Sequence, residues 1–425
     1  MAILLIGLVI LLGLGVPIAY SLGLSSLLYF LIERPMFVGV IPQRVFAGFN
    51  SYALISLPLF ILMGLVMNSG GITARLIDLA MFFVGRMKGG LGLVNVVASM
   101  IFGGISGSAS SDTASIGSVL IPEMERRGYP KSFAAGITVA SSTMGMIIPP
   151  SVAMVIYAIV AQESVGQLFL GGVIPGIMVG VFQLSIVWYL SRKRGYPTED
   201  VPFTLAEGWR QTKRSAVVVI MPLMIVGSVV LGIATPTETA GMAVLYGLVI
   251  GVFIVGLSSL RELPGAMRSA IITSAKIMAI VAFSQLYIWV LALERIPDQL
   301  ADFVAALGLG PELLMLVIAL IILIAGTFID VGPAILLLTP VFLPAAQDSG
   351  VSAVQFGVVL VSGLAIGGCT PPVGNILNVC AAITRMSIGE IFLGAAPFLA
   401  ANVLVLALCC IFPQLVLWIP SLFFG

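Results

Sequence analysis

Two short stretches of the sequence place hydroxyl groups and one carboxylate inside otherwise apolar segments. The first surrounds Asp112 with the hydroxyl side chains of Ser106, Ser108, Ser110, Ser111 and Thr113. The second surrounds Asp330 with Thr327 and Gly332. An ionisable residue inside a membrane is costly and is by default a functional candidate. Because hard oxygen ligands suit hard cations, each stretch is a candidate Na⁺ site.

The composition shows why these stretches are expected inside a membrane. Hydrophobic residues make up 60% of the 425 residues and charged residues 9%, whereas soluble proteins carry roughly 25% charged residues. The net charge of +1 gives no indication of nucleic-acid binding. The sequence contains no histidine, which excludes Ser–His catalysis and histidine-based zinc or haem sites. The four cysteines are expected to be small apolar packing residues.

Apolar runs of about 20 residues predict spanning helices, and here they lie at 2–18, 20–32, 50–69, 167–190, 215–233, 237–258, 268–292 and 390–420. Residues 72–87 mix charges into an apolar pattern, which is typical of an amphipathic helix along the membrane interface. Two other apolar segments, 90–122 and 312–344, break at 103–115 and 326–333. Each half is too short to cross a bilayer of ~30 Å, so we predict two re-entrant helical hairpins, tolerated where protein or a watery cavity satisfies their tips.

A proline pair interrupts the apolar run that follows each hairpin. These pairs are Pro149-Pro150 and Pro371-Pro372. Proline lacks an amide donor and disfavours helix in the preceding residue. We therefore predict unwound backbone, between two half-helices, at 143–148 and at 367–370.

The two hairpin-plus-break units have the sequence pattern of an internal repeat. Residues 128–150 and 350–372 align without a gap, and both are followed by Ser-x-Gly-(Gln/Glu)-x-Phe-Leu-Gly. Asp112 precedes Pro122 by the same spacing as Asp330 precedes Pro340, so the two carboxylates are expected to be equivalent. Paired interrupted hydrophobic segments in two halves are typical of secondary transporters.

Basic residues predict how the repeats are oriented. The base of the first hairpin is flanked by Arg86, Lys88, Arg126, Arg127 and Lys131, and 192–214 adds further Arg and Lys. Such clusters mark cytoplasmic sides. The base of the second hairpin carries Glu312 and Asp348 instead. Because three predicted spans (215–233, 237–258 and 268–292) separate the basic 192–214 stretch from the second hairpin, we expect inverted repeats, the first opening to the cytoplasm and the second to the outside.

These elements define the expected sites. The first Na⁺ site combines the Asp112 stretch with Thr143 and Gly145 of the break, and the second combines the Asp330 stretch with Gly367, Gly368 and Thr370. The alternative is that either aspartate caps a half-helix, or that the small residues serve close helix packing.

Substrate is expected between the two tips, at Ser108, Ser110, Pro149, Pro150, Ser151, Pro371, Pro372 and Asn375. Half-helix N-termini favour an anion there. Lys276 lies inside a predicted span, and a snorkelling lysine is favoured over a substrate contact.

Several motifs together resemble one family, the large membrane subunit of tripartite ATP-independent periplasmic (TRAP) transporters. They are 107–115 (Gly-Ser-Ala-Ser-Ser-Asp-Thr-Ala-Ser), 122–129, 148–151, 234–238 (Ala-Thr-Pro-Thr-Glu) and 369–375 (Cys-Thr-Pro-Pro-Val-Gly-Asn). The resemblance covers nearly the whole chain. It implies uptake of an organic acid anion, either sialic acid or a C4-dicarboxylate, driven by two or more Na⁺. It also implies a small four-helix membrane subunit, a periplasmic substrate-binding protein and a place in the bacterial inner membrane.

The same resemblance implies an all-α polytopic fold that works as an elevator. Its mobile transport domain is expected at 90–165 and 312–388. The scaffold is expected at 1–89, which includes the amphipathic arm, at 166–311, and at 389–425, the C-terminal scaffold helix.

Three rival functions remain at this point. An intramembrane aspartyl protease needs two carboxylates near one water, but Asp112 and Asp330 lack the Tyr-Asp and Gly-x-Gly-Asp contexts of those enzymes. A channel usually shows ringed selectivity motifs, whereas paired broken helices favour alternating access. A stand-alone carboxylate/Na⁺ symporter of similar fold, which needs no binding protein, is the nearest alternative.

Overall fold

The structure, a computed structural model, describes residues 2–50, 52–69, 72–198, 205–251, 258–296, 299, 302, 308 and 310–424. The regular structure of this part of the chain is helical. Its α-helices are, in order, α1 Ala2–Gly13, α2 Ile18–Glu33, α3 Ile41–Phe49, α4 Ser56–Ser69, α5 Ile72–Val84, α6 Gly90–Ser106, α7 Ala109–Arg126, α8 Lys131–Ser142, α9 Met144–Ile147, α10 Val152–Ala161, α11 Val165–Arg194, α12 Leu205–Val230, α13 Pro236–Val249, α14 Ser258–Leu293, α15 Pro311–Phe328, α16 Val331–Asp348, α17 Ala353–Gly367, α18 Asn375–Thr384, α19 Ile388–Ile411 and α20 Gln414–Phe424.

Long apolar helices dominate the described residues. Five of them are long and apolar enough to cross a membrane, and the bent pair formed by Lys131–Ile147 and Val152–Ala161 raises the number to six. The helices found near 2–18 and 50–69 are shorter than the predicted spans, whereas α2 extends beyond the predicted 20–32 at both ends. The predicted span 390–420 is wrong as one helix, because α19 ends before Pro413 and α20 begins after it. A proline lacks the amide that would continue the helical bonding.

The internal repeat is visible in the helix bounds. Helices α7 and α16 each contain 18 residues. Helices α8 and α17 both begin three residues after a glycine with positive φ, Gly128 in the first repeat and Gly350 in the second. Both proline pairs contain a cis peptide bond. The repeat is therefore confirmed at the level of the helices, while its inverted orientation in a membrane stays a prediction.

The register between the two hairpins differs from the predicted one. Because α7 and α16 have the same length, Pro122 corresponds to Pro344 and not to Pro340. Asp330 is the residue that precedes α16, and its counterpart before α7 is Ser108. Asp112 lies one turn inside α7. The predicted equivalence of the two aspartates is wrong, because α16 contains two prolines and the spacing matched the wrong one.

The hairpin tips are much shorter than predicted. Only Gly107 and Ser108 separate α6 from α7, and only Ile329 and Asp330 separate α15 from α16. The tip of the first hairpin turns at Gly107, whose φ of 61° favours glycine. Each hairpin helix has 17 or 18 residues, about 26 Å at 1.5 Å per residue. The two helices of the second hairpin are nevertheless long and apolar enough to cross a membrane, so the expectation that each half is too short is wrong for that hairpin. The helices of the first hairpin are not among the spanning helices of the described residues, and re-entrance stays a prediction.

The first break is also shorter than predicted. Residues 144–147 form the helical turn α9, and the chain leaves helical geometry only at 148–151. In the second repeat α17 continues through Gly367, and residues 368–374 are non-helical. Proline disfavours helix in the residue before it, and the predicted breaks therefore began at 143 and 367. In the structure, helical residues continue to 147 and to 367, closer to each proline pair than predicted.

Candidate substrate and cation sites

A cavity of about 430 Å³ lies where the two hairpin tips meet. Hydroxyl-bearing residues of the first tip and residues at the start of α16 both line it. Its wall includes Ser106, Ser108, Ser110 and Ser111 from the first repeat and Asp330, Gly332 and Pro333 from the second. The volume falls within the ~300–1,000 Å³ typical of small-molecule sites. The structure thus brings both tips to one site, as the repeat predicted.

Two further helices close this cavity. Helix α4 contributes the apolar residues Ile61, Gly64 and Leu65, and α14 contributes Ser269, Thr273 and Lys276. Lys276 is exposed and is the basic residue among those that line the cavity in the described part of the chain. The interpretation of Lys276 as a snorkelling helix-end residue did not place it here. The sequence signal was a lysine inside an apolar run. Whether that lysine lines the cavity depends on how α14 packs against the hairpins, which the sequence does not show.

The first tip is held against the first break by backbone contacts. The Val152 amide donates to the Gly107 carbonyl (3.4 Å). A Cβ on Gly103 would lie 2.9 Å from the Gly145 Cα, and one on Gly145 would lie 3.2 Å from the Ser108 carbonyl oxygen. These glycines therefore permit the close approach of hairpin and break. Ser106, Ser108 and Gly145 of the predicted first Na⁺ site lie together.

Asp112 lies in a buried hydrogen-bond network beside this tip. Its Oδ1 accepts from the Ser99 hydroxyl (3.2 Å), and Ser99 shares a hydrogen bond with Ser141 (3.0 Å). Ser141 donates to Asn95 Oδ1 (3.2 Å), and the Asn95 amide donates to Thr138 (2.7 Å). The sequence signal for Asn95 and Ser99 was their spacing of one helical turn within an apolar segment. The network joins α6, α7 and α8.

Two buried side-chain oxygens, one of Asp112 and one of Thr113, lack a hydrogen-bond partner in the described part of the chain. These atoms are Asp112 Oδ2 and Thr113 Oγ1. Buried polar atoms are normally satisfied, and unpaired oxygen lone pairs are what a small hard cation binds. The donor set around Asp112 therefore fits a cation such as Na⁺.

Thr143 belongs to a second buried network rather than to the tip. Its hydroxyl donates to the Ala140 carbonyl (2.8 Å) and accepts from the Asn402 amide (3.0 Å). Gln183 donates to Asn402 Oδ1 (2.7 Å) and to the Ala140 carbonyl (3.0 Å). The Thr143 carbonyl also accepts the Met146 amide (3.1 Å). The Thr143 hydroxyl is thus occupied by Ala140 and by Asn402 of α19, and the place of Thr143 in the first Na⁺ site stays a prediction.

The second tip contacts the second break in a similar way. The Gly374 amide donates to the Thr327 carbonyl (3.2 Å), and the Asn375 amide donates to Asp330 Oδ1 (3.2 Å). A Cβ on Gly367 would lie 2.7 Å from Gly326. The Gly368 carbonyl accepts the Ile376 amide, and the Thr370 hydroxyl donates to the Ile366 carbonyl. Asp330 is exposed and lines the cavity, and the second Na⁺ site stays a prediction.

The proline pairs lie behind the tips rather than along the cavity. The Pro149 and Pro150 carbonyls approach Gly104 and Gly107 of the first tip. Ser151 accepts the Met154 amide (3.3 Å) and so caps α10. Pro149, Pro150, Ser151, Pro371 and Pro372 are not among the cavity-lining residues of the described chain. Asn375 reaches the cavity through its bond to Asp330, and Ser108 and Ser110 line it directly.

The fold and site together define a class of protein. Two hairpin-plus-break repeats, meeting around one polar cavity in an apolar helical protein, are the architecture of a secondary transporter. The fold is similar to that of the YdaH transporter of Alcanivorax borkumensis, with a TM-score of 0.63 at 14% identity over 92% of this chain and 90% of that one.

The family follows from sequence comparison. Residues 5–415 match the model of the "Tripartite ATP-independent periplasmic transporter, DctM component", and the chain belongs to this family. It is 33% identical to the C4-dicarboxylate TRAP transporter large permease protein DctM of Rhodobacter capsulatus over 99% of each chain. It is 34% identical to the sialic acid TRAP transporter large permease protein SiaM of Vibrio cholerae, over 97% of this chain and 96% of that one. The chain is therefore a multi-pass permease of the bacterial inner membrane and not an enzyme.

Proposed function

We propose that the chain carries out Na⁺-coupled secondary active uptake of an organic acid anion of the sialic acid or C4-dicarboxylate class. The observation that carries this proposal is that one cavity is lined by hydroxyls of the first tip together with Asp330 and Lys276. Lys276 attracts the carboxylate of the substrate, and the serines bond its oxygens. The names of the relatives quoted above support both substrate classes.

Coupling to Na⁺ is proposed from the oxygen-rich surroundings of the tips. At the first site Asp112, Thr113 and the tip serines would hold the ion. At the second site Asp330 and the backbone around Thr327, Gly367 and Thr370 would hold it. A cation beside the cavity also lowers the electrostatic cost of bringing an anion to mid-membrane. Na⁺ entry then supplies the driving force.

Alternating access is proposed to follow an elevator mechanism. The cavity lies between the hairpin tips, which belong to the predicted transport domain, and α4 with α14, which belong to the predicted scaffold. A substrate bound at this boundary is carried across when one body slides past the other. The predicted 1–89 and 166–311 scaffold segments supply the fixed wall of the cavity.

The partners are proposed from the family and from two longer relatives. The sialic acid permease SiaT of Haemophilus influenzae and the isethionate permease DctMQ of Oleidesulfovibrio alaskensis match this chain over 67% and 64% of their length. We propose that a small four-helix membrane subunit and a periplasmic substrate-binding protein complete the transporter. The binding protein delivers the anion to the cavity.

Uptake into proteoliposomes tests this function. The chain is reconstituted with and without its small subunit and binding protein, and entry of labelled sialic acid and succinate is measured under an inward Na⁺ gradient. We expect uptake only with all three components and Na⁺. Uptake by the chain alone would instead identify a stand-alone symporter, and uptake independent of Na⁺ would remove the coupling.

A further inference from the structure

A second large groove lies away from the transport cavity. It has a volume of about 550 Å³ and runs between α5, α6 and α11. Its residues are Val84, Met87, Leu93, Val181, Leu184, Ser185, Trp188 and Tyr189. The hydroxyl of Ser185 donates to the Val181 carbonyl (2.8 Å), so the groove offers no free hydroxyl there. Its interior is suited to a hydrocarbon chain.

One end of this groove is cationic. The Arg192 guanidinium lies 4.1 Å from the centre of the Trp188 ring, which is in the groove wall. Gly89 approaches the Ser191 side chain so closely that a Cβ there would overlap it. Lys88 and Arg192 therefore flank the same contact, and both are exposed. No acidic side chain is among the groove-lining residues of the described chain.

This end also coincides with the boundary of the membrane. Helix α11 is one of the helices long and apolar enough to span, and its last turn carries Arg192, Lys193 and Arg194. Trp188 and Tyr189 precede these residues and are 39% and 59% exposed. Aromatic residues followed by basic ones are typical of the headgroup level of a bilayer.

We propose that this groove binds an anionic phospholipid, with an acyl chain along Val181, Leu184 and Trp188 and the phosphate at Arg192 and Lys88. Charge complementarity selects the headgroup, because basic residues near a membrane surface attract anionic lipids. The apolar wall selects a lipid over a soluble phosphate. The bound lipid bridges α5, of the predicted arm, to α6 and α11, which pack beside the first break.

Quenching of Trp188 by brominated lipid tests the site. The full-length chain is placed in nanodiscs of phosphatidylcholine with a minor fraction of brominated phosphatidylglycerol, or with the same fraction of brominated phosphatidylcholine. The difference in quenching between the wild type and Trp188→Phe reports the groove alone. We expect stronger quenching by the brominated phosphatidylglycerol. Equal quenching by the two lipids overturns the proposal.

Charge variants identify the headgroup contact. Arg192→Gln and Lys88→Gln should each reduce the preference for phosphatidylglycerol about fivefold, which corresponds to the loss of one basic residue near an anionic surface. Arg192→Lys should retain most of it. The control is Arg385→Gln, an exposed arginine outside the groove, which should leave the preference unchanged. An equal loss in this control would show that overall charge, and not the groove, binds the lipid.

A soluble phosphate compound tests whether the groove binds a phosphate group alone rather than a phospholipid. Glycerol 3-phosphate at millimolar concentration carries the phosphate without the acyl chains. It should leave the Trp188 quenching unchanged if the apolar wall is required. Full displacement by glycerol 3-phosphate would overturn the lipid as occupant.

Discussion

Asp112 and Asp330 show two different ways of keeping a carboxylate in an apolar protein. Asp112 is fully buried, and its Oδ1 is bonded to Ser99 while Oδ2 has no partner in the described chain. Asp330 is exposed to the cavity and is bonded to Asn375. A buried carboxylate with an unpaired oxygen is stabilised by a counter-charge or by a proton, so Asp112 is the stronger candidate for a cation held within protein surroundings. Asp330 is placed to meet solvent or substrate.

The role of Asp112 is tested by removing its charge alone. Asp112→Asn preserves the shape and can still accept from Ser99. If Asp112 binds Na⁺, the Na⁺ concentration for half-maximal uptake should rise about tenfold or more, because a bond to a charged group contributes ~1.5–3 kcal/mol. Uptake is measured against Na⁺ concentration. Asp348→Asn, at the exposed end of α16, is the control. An unchanged Na⁺ dependence at full rate would remove Asp112 from the site.

Lys276 yields a prediction about affinity for the substrate anion rather than for Na⁺. Lys276→Gln removes the positive charge from the cavity, so the KM for the anion should rise about tenfold or more while Na⁺ dependence changes little. Lys276→Arg should restore part of the affinity. Arg268→Gln is the matched control, because Arg268 is exposed on the same helix and does not line the cavity. If Lys276→Gln transports with an unaltered KM, the lysine only snorkels.

The residues that could be predicted were those with a local signal. Serines and an aspartate in an apolar run marked the first tip, and four of the serines, at positions 106, 108, 110 and 111, line the cavity. The direction of the Thr143 hydroxyl could not be predicted, because Asn402 and Gln183 come from helices distant in sequence. The place of Lys276 in the cavity wall could not be predicted either. Its position depends on the crossing of α14 with both hairpins, which no local pattern encodes.

At the scale of elements, the proline pairs gave the breaks and glycine-rich stretches gave the hairpins. The lengths of both hairpin tips and of the first break were overestimated, because helix propensity is a weak prior that tertiary packing overrides. The second break, at 368–374, is instead longer than the predicted 367–370. Gly103 and Gly104 remain helical and serve close contacts with the first break. The register error at Asp330 has the same origin, since two prolines in α16 satisfy one spacing rule.

The contacts of α11 and α19 bear on the domain boundary. Gln183 of α11 and Asn402 of α19 bond to each other and to Ala140 of α8. We propose that both helices move with the broken helices, although the sequence prediction assigned 166–311 and 389–425 to the scaffold. Paired-cysteine variants at positions 140 and 402, which join α8 to α19, and at positions 140 and 183, which join α8 to α11, should therefore retain transport after cross-linking. Loss of transport on cross-linking, restored by reduction, would return the helix joined to α8 in that variant to the scaffold.

The crossing of α8 and α19 is tested by a single methyl group. A Cβ on Gly136 would overlap the Gly394 backbone, so Gly136→Ala must push the helices apart. Overpacking of this kind costs typically ~1–3 kcal/mol, and the melting temperature of the purified protein should fall. Gly389→Ala, on α19 with nothing near its Cβ, is the control and should be neutral or slightly stabilising. Equal melting temperatures for the two variants would contradict the close crossing.

At the scale of the whole molecule, the repeat explains why one cavity serves both tips. Each repeat supplies a hairpin held against its own break by backbone bonds, through Gly107 in the first and Gly374 in the second. The repeats then contact each other, as in the bond from the Tyr157 hydroxyl to the Ala353 carbonyl (2.6 Å). Two like units that meet tip to tip must enter the membrane from opposite sides if both hairpins re-enter, which is the inverted arrangement that the basic residues predict.

The inverted arrangement makes a prediction about sidedness. Single cysteines are introduced as Arg127→Cys, beside the base of the first hairpin, and Asp348→Cys, at the base of the second. Both positions are exposed, and the four native cysteines are buried, so a membrane-impermeant maleimide should report the new sites. In intact cells the reagent should label position 348 and not position 127. In inside-out vesicles the order should reverse, because Arg127 belongs to the basic cluster expected in the cytoplasm. The cysteine-bearing wild type measures background. Labelling of both positions from the same side would show parallel repeats, and the cavity between the tips would then require one hairpin to span the bilayer rather than re-enter it.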